Sequence, residues 1–320
     1  MEAIAGPARD NGFLFVVVGD TKSPDTFFLD GCQFLSVADQ RRLDFRFAGE
    51  CPTGHYSRKN IGYLFAIQHG ARLIVETDDD NFPRPAFFGP RERFHTCRHL
   101  QGNGWTNIYS YFTNTNTWAR GYPLDALSLK PPPYESLTVT AVDCPVQQGL
   151  ADSNPDVDAI FRLIFPGELN FDSGREVALG RNSWSPFNSQ NTTWWPDAFP
   201  LMYLPSYCSF RMTDIWRSFV AQRIAWENDW HILFHGATVW QERNDHVLMK
   251  DFEGEIPGYL NNRSICDRLG KLTLLAGITS IPDNLRVCYE ELIAMDLVGR
   301  AELPLLNSWL SDLDNLNYAL

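Results

Sequence analysis

No run in this 320-residue chain approaches the roughly 20 apolar residues that cross a bilayer. Residues 1–12 hold neither a basic cluster nor a long apolar core, so no signal peptide is expected, and the expected compartment is the cytoplasm. Cysteine is sparse and dispersed: seven residues, at positions 32, 51, 97, 144, 208, 266 and 288, form no Cys-x-x-Cys pair. That pattern excludes a disulfide framework and speaks against a zinc site, and it reads as reduced core thiols. Positive charge is also short. Lys and Arg number 27 against 39 Asp and Glu, a net charge of −12 with a pI near 5.0, which argues against a nucleic-acid binder. There is no internal repeat, low-complexity tract or flexible linker.

What is present is enough apolar sequence, 44% of residues, to bury a substantial core. The most informative stretch is residues 72–81. An apolar strand-like run, Leu73-Ile74-Val75, empties into Asp78-Asp79-Asp80. Adjacent carboxylates repel, and a fold that gathers them at a strand end usually places a cation there. Mg²⁺ or Mn²⁺ held by one or two carboxylates plus substrate phosphates is the chemistry such a turn suits, although acidic triplets also occur in solvated loops.

Upstream, residues 13–18 form an apolar run ended by Gly19-Asp20, the pattern of a strand buried on both faces. The polar turn Thr21-Lys22-Ser23-Pro24 follows at a strand end, where ligands bind in open α/β sheets. Residues 43–47 alternate and predict a second strand. Ser57-Arg58-Lys59-Asn60 opens a helix running to about His69, with Gly70 placed to end it. Strand, crossover, strand, helix and strand in succession predict an α/β fold with a largely parallel sheet. Asp20 serves either as a turn cap or as a ligand residue. Arg58 and Lys59 are either solvent-facing charges at a helix start or, since the dipole disfavours cations there, groups that a phosphate would account for.

Residues 81–135 read as long functional loops. Their aromatics, Trp105, Tyr109, Tyr111, Phe112, Trp118 and Tyr122, offer flat faces for a sugar or fill the core, and Arg120 reads as an exposed arginine on a turn. His95 and His99 are spaced i, i+4 without a completing zinc ligand. Asn191 and Asn262 begin glycosylation sequons, which matter only in a secreted chain. Apolar spacing from Met212 to Ile224 predicts an amphipathic helix with Thr213 or Asp214 as N-cap; alternatively, Asp214 takes a proton from an acceptor hydroxyl. Residues 231–234 predict a strand, and His246 is a candidate third metal ligand or a solvated loop histidine. Ile256-Pro257-Gly258-Tyr259 is expected to break the chain, with helices over 266–275 and 285–297 and a leucine-rich tail beyond. The expected organisation is a catalytic domain over 1–250 and a helical region over 251–320 packed on it.

Several blocks carry a resemblance. Val17-Val18-Gly19-Asp20-Thr21-Lys22, the run from Arg58 to Ala71, the Asp78–Asp80 cluster, Thr213-Asp214-Ile215-Trp216-Arg217, Gln241-Glu242-Arg243-Asn244 and the run from Asp251 to Leu260 are similar, in this order, to the STELLO family of glycosyltransferase-like proteins. A weaker likeness extends to the reversibly glycosylated polypeptides, which include UDP-arabinopyranose mutases. The resemblance implies a GT-A fold, a Rossmann-like α/β domain that binds a nucleotide-sugar, most simply UDP-linked, with Mn²⁺ or Mg²⁺. It implies Asp78 and Asp80 as the Asp-x-Asp pair, with Asp79 able to join either register. Asp20, Thr21, Lys22, Arg58 and Lys59 would approach the nucleotide or diphosphate, and Asp214 would stand where many inverting enzymes of this fold place their base. A glycan or other hydroxyl acceptor follows. The rival readings are a sugar-nucleotide mutase, which needs no acceptor, and a non-catalytic scaffold that keeps the fold.

Overall fold

A computed structural model of the chain describes residues 1–242 and 247–316. The strands among them are β1 (Val16–Val18), β2 (Gln33–Leu35), β3 (Ile74–Thr77), β4 (Asn81–Pro83), β5 (Phe94–Leu100), β6 (Gly104–Trp105), β7 (Thr138–Asp143), β8 (Val146–Asp152), β9 (Glu176–Leu179), β10 (Ser183–Trp184), β11 (Asn191–Trp194) and β12 (Ile232–Gln241). The α-helices are α1 (Glu2–Asp10), α2 (Val37–Gln40), α3 (Arg46–Glu50), α4 (Lys59–Gln68), α5 (Ala159–Ile164), α6 (Thr213–Ala225), α7 (Leu248–Leu269), α8 (Ile281–Ala294) and α9 (Glu302–Asn315).

The central sheet runs β3-β11-β8-β12-β9-β5-β7, with β4 beside the far end of β12. Its parallel pairs are β8/β12 and β5/β9; β3/β11, β11/β8, β12/β9, β5/β7 and β12/β4 are antiparallel. β1 and β2 pair in parallel apart from it. The fold is therefore α/β with a mixed sheet flanked by helices and a helical C-terminal region, as a GT-A-like architecture requires. β8 and β11 are buried along their whole length and still carry Gln148, Asn191 and Thr192. These polar groups pair with one another: the Gln148 amide donates to the Asn191 carbonyl (3.1 Å) and the Thr192 hydroxyl to Gln148 (3.1 Å). A buried polar row is tolerable only when satisfied in this way.

Helix α4 follows the sequence closely. Ile61, Tyr63, Leu64 and Ile67 form its buried face, and Gly70 beyond its end has φ +80°, a left-handed position that suits glycine. Gly62 lets the helix lie against β1, because a Cβ there would stand 2.6 Å from a Val18 methyl. Helix α6 is not amphipathic as its apolar spacing predicts: all thirteen residues are buried. Its polar side chains find partners inside, including Gln222 on the Ser185 amide (3.1 Å) and Arg223 on the Leu269 carbonyl (2.9 Å).

Other expectations need correction. Residues 43–47 are not the second strand. That strand is β2, and Arg46–Glu50 is the helix α3, whose first N–H groups, Arg46 and Phe47, donate to the Asp312 carboxylate at 3.0 and 2.8 Å. A cap supplied from 265 residues away leaves no local trace. β1 is half-buried, and Phe13 and Leu14 before it are exposed. The supposed loops of 81–135 contain β4, β5 and β6. Pro257 does not break the chain but sits inside α7, and Gly258 beside it admits the Met212 side chain to where a Cβ would be. The helix expected over 266–275 is the end of α7, which stops at Leu269; α8 and α9 take up the rest. The strand expected at 231–234 continues to Gln241, with an irregular register between His235 and Val239. No helix among the described residues is long and apolar enough to cross a membrane.

Candidate active site

A cleft of about 1150 Å³ opens beside the ends of β1 and β3. Asp20, Thr21, Lys22, Arg58, Lys59, Asp78, Asp79, Asp80 and Asp214 all line it, so residues from four separate blocks of sequence meet in one cavity. His246 lies outside the described residues.

The first wall is the turn after β1. Asp20 accepts from the backbone N–H groups of Thr21 (2.7 Å), Gly54 (2.9 Å) and His55 (2.9 Å). Its carboxylate thus fixes the 54–55 loop to the strand end, while Thr21 and Lys22 stay exposed. Arg58 is 3% exposed, and its guanidinium donates to Gln40 (2.8 Å) and to the carbonyls of Cys51 and Pro52. Gln40 in turn donates to the carbonyls of Gly19 and Leu35, both at 2.7 Å. Arg58 is neither a solvent-facing charge nor a side chain with its hydrogens free; it locks the start of α4 to the ends of β1 and β2.

The acidic turn is rooted in a rigid strand. Glu76 on β3 takes hydrogen bonds from Trp194 (3.0 Å) and Tyr63 and pairs with Arg217 at 2.9 Å, both charged side chains being almost wholly buried. Two residues on, Asp78 holds the Lys59 ammonium at 2.5 Å, and that ammonium also donates to the Ser189 carbonyl at 3.3 Å. Burial works against the charge on Lys59, but Asp78 and Glu76 outweigh it and hold the ammonium above its ordinary pKa. Burial pushes the Asp78 carboxyl up to about 6, against the downward pull of Lys59. Asp80 accepts from the Gln241 amide at 2.9 Å, and Asp79 is exposed. Among the described residues neither Asp79 nor Asp80 has a cationic partner.

These carboxylates suit a hard divalent ion. Adjacent oxygen donors lie at the edge of an open cavity, and no ready-made cage of three or more His, Cys, Asp or Glu is found among the described residues. An ion there would take further ligands from a phosphate, as Mg²⁺ and Mn²⁺ sites commonly do.

The opposite wall is an ionic cluster that the sequence does not announce. Arg120, expected on an exposed turn, is buried; it binds Asp156 at 2.7 and 2.8 Å and both oxygens of Asp214 at 3.0 Å. Asp214 lies in the first turn of α6 and also accepts from the Tyr56 hydroxyl (3.1 Å) and the Ser189 N–H (3.2 Å). Burial opposes its charge, yet Arg120 and then Arg217 prevail and hold the carboxyl below its ordinary pKa. Tyr56 is pushed well above its ordinary value by burial and by Asp214. Asp156 follows β8 within Asn154-Pro155-Asp156, a polar turn after a strand, and that was the signal available in the sequence.

Of the two roles open to the aromatics between 105 and 122, a sugar face or core packing, the fold gives them the core. Trp105, Tyr109, Tyr111, Phe112, Trp118 and Tyr122 are all buried. His95 and His99 lie on the strand β5 rather than a helix, His95 against Glu176 (3.5 Å) and His99 edge-on to the His231 ring. The sequon asparagines are 2% exposed and hydrogen-bonded: Asn191 donates to Thr238 at 2.9 Å and Asn262 to the Gly121 carbonyl at 2.7 Å, so neither is open to a glycan in the folded chain.

A family model described as STELLO glycosyltransferases matches residues 211–320. Two Arabidopsis thaliana proteins, named probable glycosyltransferase STELLO2 and probable glycosyltransferase STELLO1, are 29% and 28% identical to the chain over 279 residues. Each match covers 81% of this chain and 36% of the relative, so the chain spans about a third of their length.

Proposed function

The chain is STELLO-like, and from that premise we propose that it is a glycosyltransferase that moves a sugar from a nucleotide-sugar, UDP-linked in our reading, to a hydroxyl acceptor. The observation that carries the proposal is the pair of carboxylates, Asp79 and Asp80, which have no cationic partner among the described residues, beside the Lys59–Asp78 pair at the cleft. An anionic diphosphate would be repelled from such a turn unless a cation lay between them. Asp80 and Asp78 would hold Mn²⁺ or Mg²⁺, with Asp79 in the alternative register; the ion would supply neutralisation of the leaving diphosphate.

The chain's own residues do the rest. Lys59 contributes a charge-assisted contact to the diphosphate. Thr21 and Lys22 lie free to meet the nucleotide, in a turn that Asp20 and Arg58 hold in place. Asp214 is the candidate base, and its ion pair with Arg120 keeps it deprotonated from well below neutral pH, as a proton acceptor must be.

The test is thermal unfolding with UDP, with and without Mn²⁺. A ligand at about 100 times its Kd adds roughly 2.7 kcal/mol to native stability. Stabilisation by UDP that needs Mn²⁺ and disappears in Asp80→Asn is expected. A shift that ignores the metal, or survives that substitution, overturns the assignment.

A further inference from the structure

We infer that the cleft contains an acceptor subsite in which a saccharide ring lies on the face of Phe210; the identity of the occupant rests on the glycosyltransferase reading. Phe210 is 51% exposed, yet its ring is not loose. It meets His55 at 5.0 Å and 69° and Tyr56 at 4.8 Å and 73° between ring planes, and those two rings stack on each other at 5.4 Å and 8°. All three residues line the cleft.

The bracing is specific. His55 Nδ1 accepts from the Ser57 N–H at 3.1 Å, which leaves the ring proton on Nε2. Among the described residues that nitrogen is buried without an oxygen or nitrogen partner, and the ring that His55 meets at a steep angle is Phe210. Burial also pushes the His55 pKa down, in keeping with a neutral imidazole. Phe210 is thus pre-ordered, with half its surface left uncovered, and an already fixed aromatic face binds a partner at low entropic cost.

The surroundings decide what the partner is. The Tyr56 hydroxyl, on the ring that braces Phe210, is bonded to Asp214, and the guanidinium of Arg120 and the carboxylate of Asp156 lie beyond. An occupant with one apolar C–H face and a rim of hydroxyls satisfies both parts, and a pyranose ring has that form. Through Tyr56 the platform adjoins the candidate base, which assigns it to the hydroxyl-bearing partner.

Saturation-transfer NMR with methyl glycosides of glucose, galactose and mannose, in the presence of UDP and Mn²⁺, tests the inference on the wild type, Phe210→Ala and Phe210→Trp. Saturation of the protons on one ring face is expected in the wild type and in Phe210→Trp. It should weaken on the order of tenfold in Phe210→Ala, with UDP affinity unchanged in all three. Glycoside signals that ignore Phe210→Ala, or no glycoside signal in a protein that binds UDP, overturn the subsite and leave the donor reading intact. Loss of UDP affinity in Phe210→Ala makes Phe210 a nucleobase platform and equally overturns it. If the wild type binds a glycoside through Phe210 but no UDP, the subsite stands and the donor reading falls.

Discussion

At the scale of single residues, Arg120 is the side chain on which the cleft wall depends. It is shared between two carboxylates, so Arg120→Met leaves Asp156 and Asp214 facing each other in a buried place. Removing one partner of a buried ion pair typically costs about 3–5 kcal/mol. The pH dependence has a definite sign. Asp214 is held below its ordinary pKa, so its pairing stabilises the fold above about pH 4 and that contribution fades as the carboxylate takes up its proton. Urea unfolding should therefore show the widest gap between wild type and Arg120→Met near neutrality, narrowing below about pH 4. A gap that stays constant with pH would mean Arg120 acts through packing alone.

Asp78 titrates the other way, its carboxyl raised to about 6. If it is a ligand, Mn²⁺ must displace its proton. Calorimetry in two buffers of different ionisation enthalpy should find release of about half a proton per Mn²⁺ near pH 6 and almost none about two units higher. No difference between buffers at the lower pH would remove Asp78 from the ligand set. The acidic turn was legible in the sequence because its members are consecutive. The Arg120 cluster was not, because its partners lie 36 and 94 residues away and a buried arginine on a Gly-Tyr-Pro turn looks like any exposed one.

At the scale of elements, the packing of α4 on β1 sets the distance between the Asp20 turn and Lys59. Gly62→Ala gains about 1 kcal/mol in helix propensity but drives a methyl into Val18, whose branched side chain cannot swing aside. Overpacking costs about 1–3 kcal/mol, so a net loss in melting temperature and a weaker response to UDP are expected. A rise in stability would show that the two elements slide apart freely. α4 and β3 could be read from sequence because their apolar spacing, their glycine stop and their burial agree. β5 could not: Phe94-His95-Thr96-Cys97-Arg98-His99-Leu100 has little apolar alternation, and it is a strand because β7 and β9 pair with it on both sides. α6 misled in the opposite sense, since its polar residues meet buried partners, Asp214 on Arg120, Arg217 on Glu76 and Gln222 on Ser185, while Trp216 and Arg223 meet the C-terminal helix α7.

At the scale of the whole molecule, the C-terminal helices supply polar groups that the rest of the chain needs. Glu255 accepts from the Ala159 N–H at 2.8 Å and pairs with Arg211 at 2.6 Å. Glu302 accepts from the N–H groups of Ser206 and Tyr207 at 3.0 and 2.7 Å, and Asp312 caps α3. One apolar cluster extends from Phe45 to Leu313. Deleting residues 248–320 should therefore abolish the cooperative urea transition, because it exposes that cluster and orphans buried donors. A fragment that still unfolds cooperatively and responds to UDP would prove the helices separable.

The order of the central sheet has a consequence in time. β3 finds its neighbour in β11, β11 in β8 and β8 in β12, so the strand that ends in the acidic turn is secured only after residues far along the chain have joined it. Pairings of such long range form slowly, and a growing chain would not have the complete cleft until residues beyond 190 had emerged. On the proposed reading, a nucleotide could not then act as a template for the N-terminal half. Its kinetic signature should be slower unfolding with an unchanged refolding rate, so the ligand acts as a latch on the finished fold rather than as a mould for making it.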